Sequence, residues 1–160
     1  MKIHTPSLDR VDLKILDALQ TDGSLSNVAL AKQVNLSPSP CLARVKHLTQ
    51  LGVIQKTVSL VQPQAVGLQL NVFINISLKA QSREALADFE KRIQLHDEVM
   101  ECYLMTGDSD YLIRVVVPDM QALEKFILEE LTPIGSVEKI RSSFALKQVK
   151  YKTALPLQWA

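Results

Sequence analysis

Apolar residues recur at helical spacing along the first third of the chain. In residues 8–20 they fall at positions 8, 11, 15, 16 and 19, which lie on one face of a helix. The dipeptide Asp22-Gly23 predicts the end of this helix, with the glycine in the left-handed conformation. A second, short helix is predicted over residues 27–34, with Ser26 as its N-cap. Its predicted buried side consists of Val28, Leu30, Ala31 and Val34.

A tight turn and a third helix follow directly. Asn35-Leu36-Ser37 predicts the turn, Ser37 is a possible cap, and the helix runs from there to about Gln50, before Gly52. Pro38 and Pro40 lie in its first turn, where a missing N–H has no cost. A helical wheel places on one side Cys41, Leu42, Val45, Leu48 and Thr49. The opposite side carries Ser39, Ala43, Lys46, His47 and Gln50, with Arg44 on a flank.

Two short helices joined by a tight turn, the second exposing small, polar and basic groups, match a helix-turn-helix. We expect base contacts from Ser39, Lys46 and His47, and phosphate contacts from Lys32, Ser37, Arg44 and Lys56. Arg44 has a second possible role, in which it pairs with Asp12 or Asp17 of the first helix. The alternative for the whole segment is a small helical dimerisation domain with a solvated basic face.

The rest of the chain has the pattern of alternating strands and helices. Residues 53–61 are rich in β-forming residues and predict a strand that links the two parts. In residues 68–78 the even positions are apolar and the odd positions are polar apart from Phe73, which indicates a half-buried strand. Further elements are predicted in this order: a helix over 82–94, strands over 99–106 and 111–117, a helix from Pro118-Asp119, and a strand over 137–146.

This βαββαβ order is the ferredoxin-like arrangement, in which two helices cover one face of a four-stranded sheet. The predicted fold class is therefore α+β. The uncovered face must also be buried, so we expect a homodimer that forms through the sheets, with Phe73 as a candidate contact.

The two parts of the chain also differ in their content of charged residues. The 160 residues have a net charge of +1, which by itself argues against a protein that coats nucleic acid through charge. However, no acidic residue lies between Asp22 and Glu84. Residues 1–60 carry seven Lys and Arg against four Asp and Glu, whereas residues 84–160 carry nine against thirteen. A basic first part and an acidic second part suggest two parts with different partners.

Several classes of protein are disfavoured by what the sequence lacks. The first ten residues contain no apolar segment typical of a secretory signal, so we expect a cytoplasmic protein. The uncharged residues 57–78 contain too many Gln and Asn side chains to span a membrane. Cys41 and Cys102 lack CxxC spacing and are expected to be small buried residues in a reducing compartment. Scattered histidines and the absence of a catalytic motif predict neither a metal site nor an enzyme.

Three stretches of the chain resemble the Lrp/AsnC family, the leucine-responsive and asparagine-responsive transcription regulators. They are Leu8-Asp9-Arg10-Val11-Asp12 with Ile15-Leu16, residues 35–45 continuing to 51–54, and residues 101–112 followed by 117–120. The second contains Ser-Pro-x-Pro-Cys and the third Gly-Asp-x-Asp-Tyr, which are fairly specific as a pair. Ala43 and Thr49 stand where relatives often have Glu, which makes this helix face more basic and puts the transfer of base contacts in doubt.

The resemblance implies a helix-turn-helix DNA-binding domain over 1–52, a linker strand over 53–66, and an effector-binding and oligomerisation domain over 67–160. It also implies dimers that assemble into octamers and a non-covalent amino-acid effector, with no cofactor. By this analogy Gly107, Asp108, Asp110 and Tyr111 belong to a loop at the effector pocket, and Met120 is a neighbour.

The chemistry of that loop suits an amino acid. Asp108 or Asp110 can receive the ammonium group, and backbone N–H groups of the loop can receive the carboxylate. Leu104, Met105 and Met120 can accept an apolar side chain, such as that of leucine or methionine. The full predicted effector site is Leu104, Met105, Thr106, Gly107, Asp108, Asp110, Tyr111 and Met120. The simpler interpretation of residues 107–110 is a hairpin turn without a ligand.

The sequence thus predicts a transcriptional regulator that binds double-stranded DNA in a sequence-specific manner and responds to an amino acid. Two alternatives stay open. One is a ligand-sensing regulatory subunit of an amino-acid enzyme, and the other is an architectural DNA-binding protein without an effector. The sequence identifies neither the amino acid nor the operator.

Overall fold

The computed structural model describes residues 6–157, and these residues form two compact units. The first unit consists of residues 6–60 together with 150–157, and the second consists of residues 61–149. The C-terminal residues therefore lie with the first unit, whereas the predicted domains place them in the second. No helix among the described residues is long and apolar enough to cross a membrane.

Three helices build the first unit: α1 (Arg10–Thr21), α2 (Asn27–Gln33) and α3 (Pro38–Gln50). The Asp9 side chain caps α1 by accepting from the amides of Val11 and Asp12, and Ser26 caps α2 by accepting from the amide of Ala29. Ser37 occupies the N-cap position of α3 without a side-chain hydrogen bond. The core of the unit comprises Ile15, Leu16, Ala18, Leu30, Ala31, Val34, Cys41 and Leu48.

The buried stripe of α2 is narrower than the sequence predicts. Val28 is 66% exposed, so the prediction that it is buried is wrong. On α3, Leu42 is 43% exposed and Thr49 is also exposed, although both lie on the side that carries Cys41 and Leu48. Because these short helices pack on only one side, side chains at the margin of the apolar face stay in water.

Gly23 does not end α1 through a left-handed conformation, since its φ is not positive. A Cβ atom at this position would instead lie 3.0 Å from Cγ2 of Thr57. A larger residue here would therefore press on the Thr57 side chain, in the segment that follows α3, and glycine avoids this tight contact. The end of α3 does follow the expected rule, because Gly52 has a φ of +72°.

The predicted linker strand is not formed in the single chain. Residues 55–62 form no helix or strand, and Pro63–Val66 then forms a short 3-10 helix. Val58, Leu60 and Val61 are each about 60% exposed. A β-forming sequence makes a strand only where a neighbouring strand supplies hydrogen bonds, and none of the described residues pairs with this segment.

The second unit has the predicted βαββαβ order. Its elements are β1 (Leu70–Leu78), α4 (Arg83–Ile93), β2 (Val99–Leu104), β3 (Tyr111–Val117), α5 (Met120–Lys125) and β4 (Val137–Phe144). The four strands form one antiparallel sheet in the order β2-β3-β1-β4. After α5 the chain continues as a π-helical segment, Phe126–Leu131, and Thr132 closes it by donating its amide to the carbonyl of Ile127.

Apolar and polar residues alternate along β1, and the apolar positions lie on the face of the sheet that the helices cover. Val72, Ile74, Ile76 and Leu78 are buried against the helices, where they meet Phe89 and Ile93 of α4 and Leu123 of α5. The odd positions of β1, including Phe73, are half-buried on the opposite face, which no helix of the second unit covers. The α+β fold class and the half-buried strand are thereby confirmed.

The two cysteines differ in their surroundings. Cys41 is fully buried in the first unit, and burial raises the pKa of its thiol, so it is a small apolar core residue as predicted. Cys102 is exposed on the edge strand β2, so the prediction that it is buried is wrong. An edge strand has a neighbour on one side only, and its side chains are correspondingly less covered.

Candidate DNA interface and effector pocket

The turn between α2 and α3 is built by local hydrogen bonds and one left-handed residue. Asn35 has a φ of +58°, which asparagine tolerates, and the amide of Leu36 donates to the carbonyl of Ala31. The Asn27 side chain donates to the carbonyl of Pro38 over 2.8 Å and so ties the start of α2 to the start of α3. The sequence did not single out Asn27. This contact fixes the position of the helix that carries the predicted base contacts.

The outward face of α3 carries the side chains that the sequence assigned to it. Ser39, Lys46 and His47 are exposed, as are the predicted phosphate-contacting residues Lys32, Ser37 and Lys56. Among residues 6–157, none of the three lysines forms an ion pair with a carboxylate. Their charges are therefore available to an anionic partner.

Arg44, unlike these lysines, forms ion pairs with carboxylates. Its Nη1 lies 2.6 Å from Oδ2 of Asp9 and 2.7 Å from Oδ1 of Asp12, and Asp12 is largely buried. The amide of Asp12 and the Arg44 guanidinium hold the pKa of Asp9 below its usual range. The structure thus gives Arg44 the alternative role, pairing with Asp12 but with Asp9 rather than Asp17 as the second acid. Its phosphate contact stays a prediction.

We expect Lys32→Ala to weaken DNA binding and to make the plot of log affinity against log salt shallower by about 0.9, which is the loss of one phosphate contact. A titration of labelled duplex DNA at several salt concentrations measures this slope. Lys91→Ala is the matched control, since Lys91 is an exposed lysine near the end of α4 in the other unit. Equal slopes for Lys32→Ala and the unchanged protein would contradict the assignment.

Replacing Arg44 by Ala should destabilise the first unit by roughly 1–2 kcal/mol, between the values of exposed and buried ion pairs. The reason is that Asp12 would be left largely buried without its partner. Hydrogen exchange of the α1 and α3 amides measures this change. Arg92→Ala is the control, because it removes an exposed pair with Asp88 worth only a few tenths of a kcal/mol. A loss of DNA affinity with unchanged amide protection would instead assign Arg44 to phosphate contact.

The loop between β2 and β3 is held by Asp110. Its carboxylate accepts from the amide of Leu78 over 2.7 Å and from the Gln81 side chain over 2.6 Å, and its own amide donates to the carbonyl of Ile76. Asp110 is 8% exposed. These bonds tie the loop to the end of β1, so the structure places Asp110 in a supporting role.

Tyr111 is also directed into the fold. Its side chain is 1% exposed, its ring centroid lies 4.5 Å from that of Phe89, and its hydroxyl donates to Oε1 of Glu90 over 2.8 Å. Burial and the neighbouring Glu90 raise the pKa of Tyr111 far above its usual value, so the hydroxyl stays protonated. Tyr111 therefore anchors the loop in the core.

The remaining predicted effector residues lie at the surface. Leu104, Met105 and Met120 are 61%, 40% and 58% exposed, and Thr106 and Gly107 are exposed as well. Gly107 has a φ of +130°, a conformation that favours glycine. The structure does not gather these residues with Asp108 into one cavity of the single chain.

Asp108 lines a cavity of about 230 Å³, which we call the Asp108 pocket. The other lining residues are Asn75, Ser77, Ser109, Lys139 and Arg141. Strand register brings them together, because Asn75 pairs with Arg141 and Ser77 with Lys139. The pocket therefore combines one carboxylate, two cations and small polar side chains. Asp108 is predicted from the sequence, whereas Lys139 and Arg141 are not, because they lie on β4, far from Asp108 in the chain.

Replacing Asp110 by Ala should lower the stability of the second unit by about 1–3 kcal/mol, because the amide of Leu78 would lose its buried acceptor. Asp108→Ala should change stability little, since Asp108 is exposed and is the matched control two residues away. Thermal denaturation of the two variants separates a supporting role from a ligand contact. A fully stable Asp110→Ala protein would contradict the supporting role.

Two kinds of unit in one chain define the class of this protein: a helix-turn-helix with exposed lysines on and around its outward helix, and a ferredoxin-like unit with a charged pocket. Comparison with family models gives the same division. A model described as winged helix-turn-helix DNA-binding matches residues 8–55, and the Lrp/AsnC ligand binding domain matches residues 71–155. This is a DNA-binding transcriptional regulator with a ligand-binding domain.

Proteins of similar sequence match this chain along nearly its whole length. The Bkd operon transcriptional regulator of Pseudomonas aeruginosa is 45% identical over 150 residues, which cover 94% of this chain and 98% of that protein. The leucine-responsive regulatory protein of Escherichia coli K12 is 39% identical, over 94% and 92% of the two chains. A transcriptional regulator of Neisseria meningitidis, solved as an L-Met complex, is 40% identical with a TM-score of 0.90, over 94% and 97%. The chain belongs to the Lrp/AsnC family of transcriptional regulators, which confirms the resemblance.

Proposed function

We propose that this regulator responds to a free amino acid, and that the Asp108 pocket holds the charged ends of the effector. The observation that carries the proposal is the arrangement of charge in the pocket. Asp108 offers a carboxylate for an ammonium group, while Lys139 and Arg141 offer cations for a carboxylate. An α-amino acid carries both of these groups on one carbon atom.

The proposal changes the sequence-based hypothesis at one point. The carboxylate of the effector was expected to bind backbone N–H groups of the loop, whereas the pocket supplies two side-chain cations for it. Asn75, Ser77 and Ser109 add neutral hydrogen-bonding groups to the lining. The volume of about 230 Å³ suits a small molecule of this class.

An apolar amino acid is the proposed effector class. One supporting observation is that the regulator of Neisseria meningitidis was solved with L-Met. A second is that Leu104, Met105 and Met120 expose apolar side chains near the ends of β2 and α5. We propose that these side chains become covered when dimers assemble and then contact the side chain of the effector.

The open face of the second unit is the proposed dimer surface. It carries Phe73 beside an ion pair in which Arg114 Nη2 lies 2.7 Å from Oε1 of Glu101, and Tyr103 donates to the same carboxylate. The pair lowers the pKa of Glu101, so the network stays charged at neutral pH. A half-buried aromatic within a fixed polar network is suited to a specific interface between copies. The octamer implied by the resemblance belongs to this proposal.

A thermal-shift screen of the full-length protein against the twenty amino acids tests the effector assignment. Binding to the folded state alone raises the melting temperature by mass action. We expect leucine, methionine or another apolar amino acid to give the largest shift. Asp108→Asn should lower the affinity for that amino acid by roughly tenfold or more, which corresponds to the loss of a charge-assisted hydrogen bond.

Asp97→Asn is the matched control, because Asp97 is an exposed carboxylate of the same unit that does not line the pocket. Equal ligand affinity of Asp108→Asn and the unchanged protein would contradict the pocket assignment. The absence of a shift with all twenty amino acids would favour an architectural protein, and the absence of DNA binding at low salt would favour a regulatory subunit.

A further inference from the structure

The C-terminal segment, residues 150–157, is packed on the first unit although the whole second unit precedes it in the chain. Gln20, near the end of α1, contacts the backbone of Leu155 with both ends of its amide. Its Oε1 accepts from the Leu155 amide over 2.7 Å, and its Nε2 donates to the Leu155 carbonyl over 3.4 Å. One side chain thus bonds both backbone groups of a residue that lies outside any helix or strand.

An apolar contact accompanies these two hydrogen bonds. Leu157 is partly buried and packs against the core of the first unit, which also includes Ile15 and Leu16 of α1. The side chain of Leu155 itself is 69% exposed, so the segment is held at Leu155 through its backbone and at Leu157 through its side chain. Two different kinds of contact, two residues apart, fix the segment on the first unit, and the hydrogen bonds of Gln20 attach it to α1.

The segment changes the charge of the unit to which it is attached. Residues 6–60 carry six Lys and Arg against four Asp and Glu, a net of +2. Residues 150–157 add Lys150 and Lys152 and no acid, so the net charge of the first unit rises to +4. Both lysines are exposed, and neither forms an ion pair among the described residues.

The attachment to the second unit is short. Phe144 at the end of β4 pairs with Val72, and the amide of Ala145 still donates to the carbonyl of Asn71. Only residues 146–149 separate Ala145 from the start of the segment, and four residues span at most about 14 Å. The segment is therefore not a long free tail.

We propose that the C-terminal segment is a basic arm of the DNA-binding unit, held on α1 by Gln20, and that Lys150 and Lys152 contact DNA phosphates. The contacts are independent of base sequence, because lysine recognises phosphate as a charge. The proposal rests on the proposed function as far as DNA binding is concerned, whereas the attachment of the segment to α1 does not.

Hydrogen exchange of the full-length protein tests the attachment. The Leu155 amide should be protected in the unchanged protein, and Gln20→Ala should raise its exchange rate by about tenfold or more, with the amides of α2 and α3 unchanged. Leu155→Ala is the matched control, because it removes the exposed side chain and keeps both backbone bonds. Exchange at the rate of an unstructured chain in the unchanged protein, or no effect of Gln20→Ala, would overturn the attachment.

Titration with a mixed-sequence 30-base-pair duplex at several salt concentrations tests the DNA contact. The double variant Lys150→Ala/Lys152→Ala should make the slope of log affinity against log salt shallower by about 0.9 for each lost phosphate contact. Gln20→Ala should also weaken DNA binding, because the arm would no longer be held on α1. The control Arg83→Ala/Lys91→Ala removes two exposed cations of α4 and should leave the slope unchanged.

The outcomes separate this inference from the proposed function. An unchanged slope in the Lys150→Ala/Lys152→Ala variant of a protein that binds the duplex overturns the basic arm alone. A shallower slope in that variant but normal binding by Gln20→Ala overturns the requirement for attachment. Failure of the unchanged protein to bind the duplex overturns both the arm and the DNA-binding function.

Discussion

The second unit depends on the pairing of β1 with two neighbours. This strand is bonded to β3 on one side and to β4 on the other, and its alternation places apolar residues on one face only. The same register sets Asn75 opposite Arg141 and Ser77 opposite Lys139, which brings the cations of β4 to the Asp108 pocket. A slip of one residue would exchange the faces and would remove both the core and the pocket.

Local pattern was sufficient to predict the elements of both units. Helical spacing, capping residues and strand alternation depend on neighbours within a few positions, and the βαββαβ order follows from them. The pocket could be predicted only in part. Lys139 and Arg141 lie some thirty residues beyond Asp108, and only the register of paired strands brings them close. The pairing of Arg44 with Asp9 likewise depends on how α1 and α3 pack.

The predictions that failed concern exposure rather than element type. Val28 has an apolar side chain and lies in a helix as predicted, yet the packing of the three helices leaves the margin of the apolar face of α2 exposed. Cys102 sits in a predicted strand, but that strand is at the edge of the sheet. The segment before Pro63 has the composition of a strand and has no partner in the described part of the chain. In each case exposure depends on which elements pack against the residue in the fold, and the local sequence pattern does not specify this.

The position of residues 150–157 has a consequence for synthesis. The second unit is inserted between the two pieces of the first, so the piece that Gln20 holds is made after the second unit. A ribosome adds about 5–20 residues per second, and domains fold as units while the chain emerges. The helices of the first unit are therefore made several seconds before residues 150–157, and the whole second unit is made in that interval.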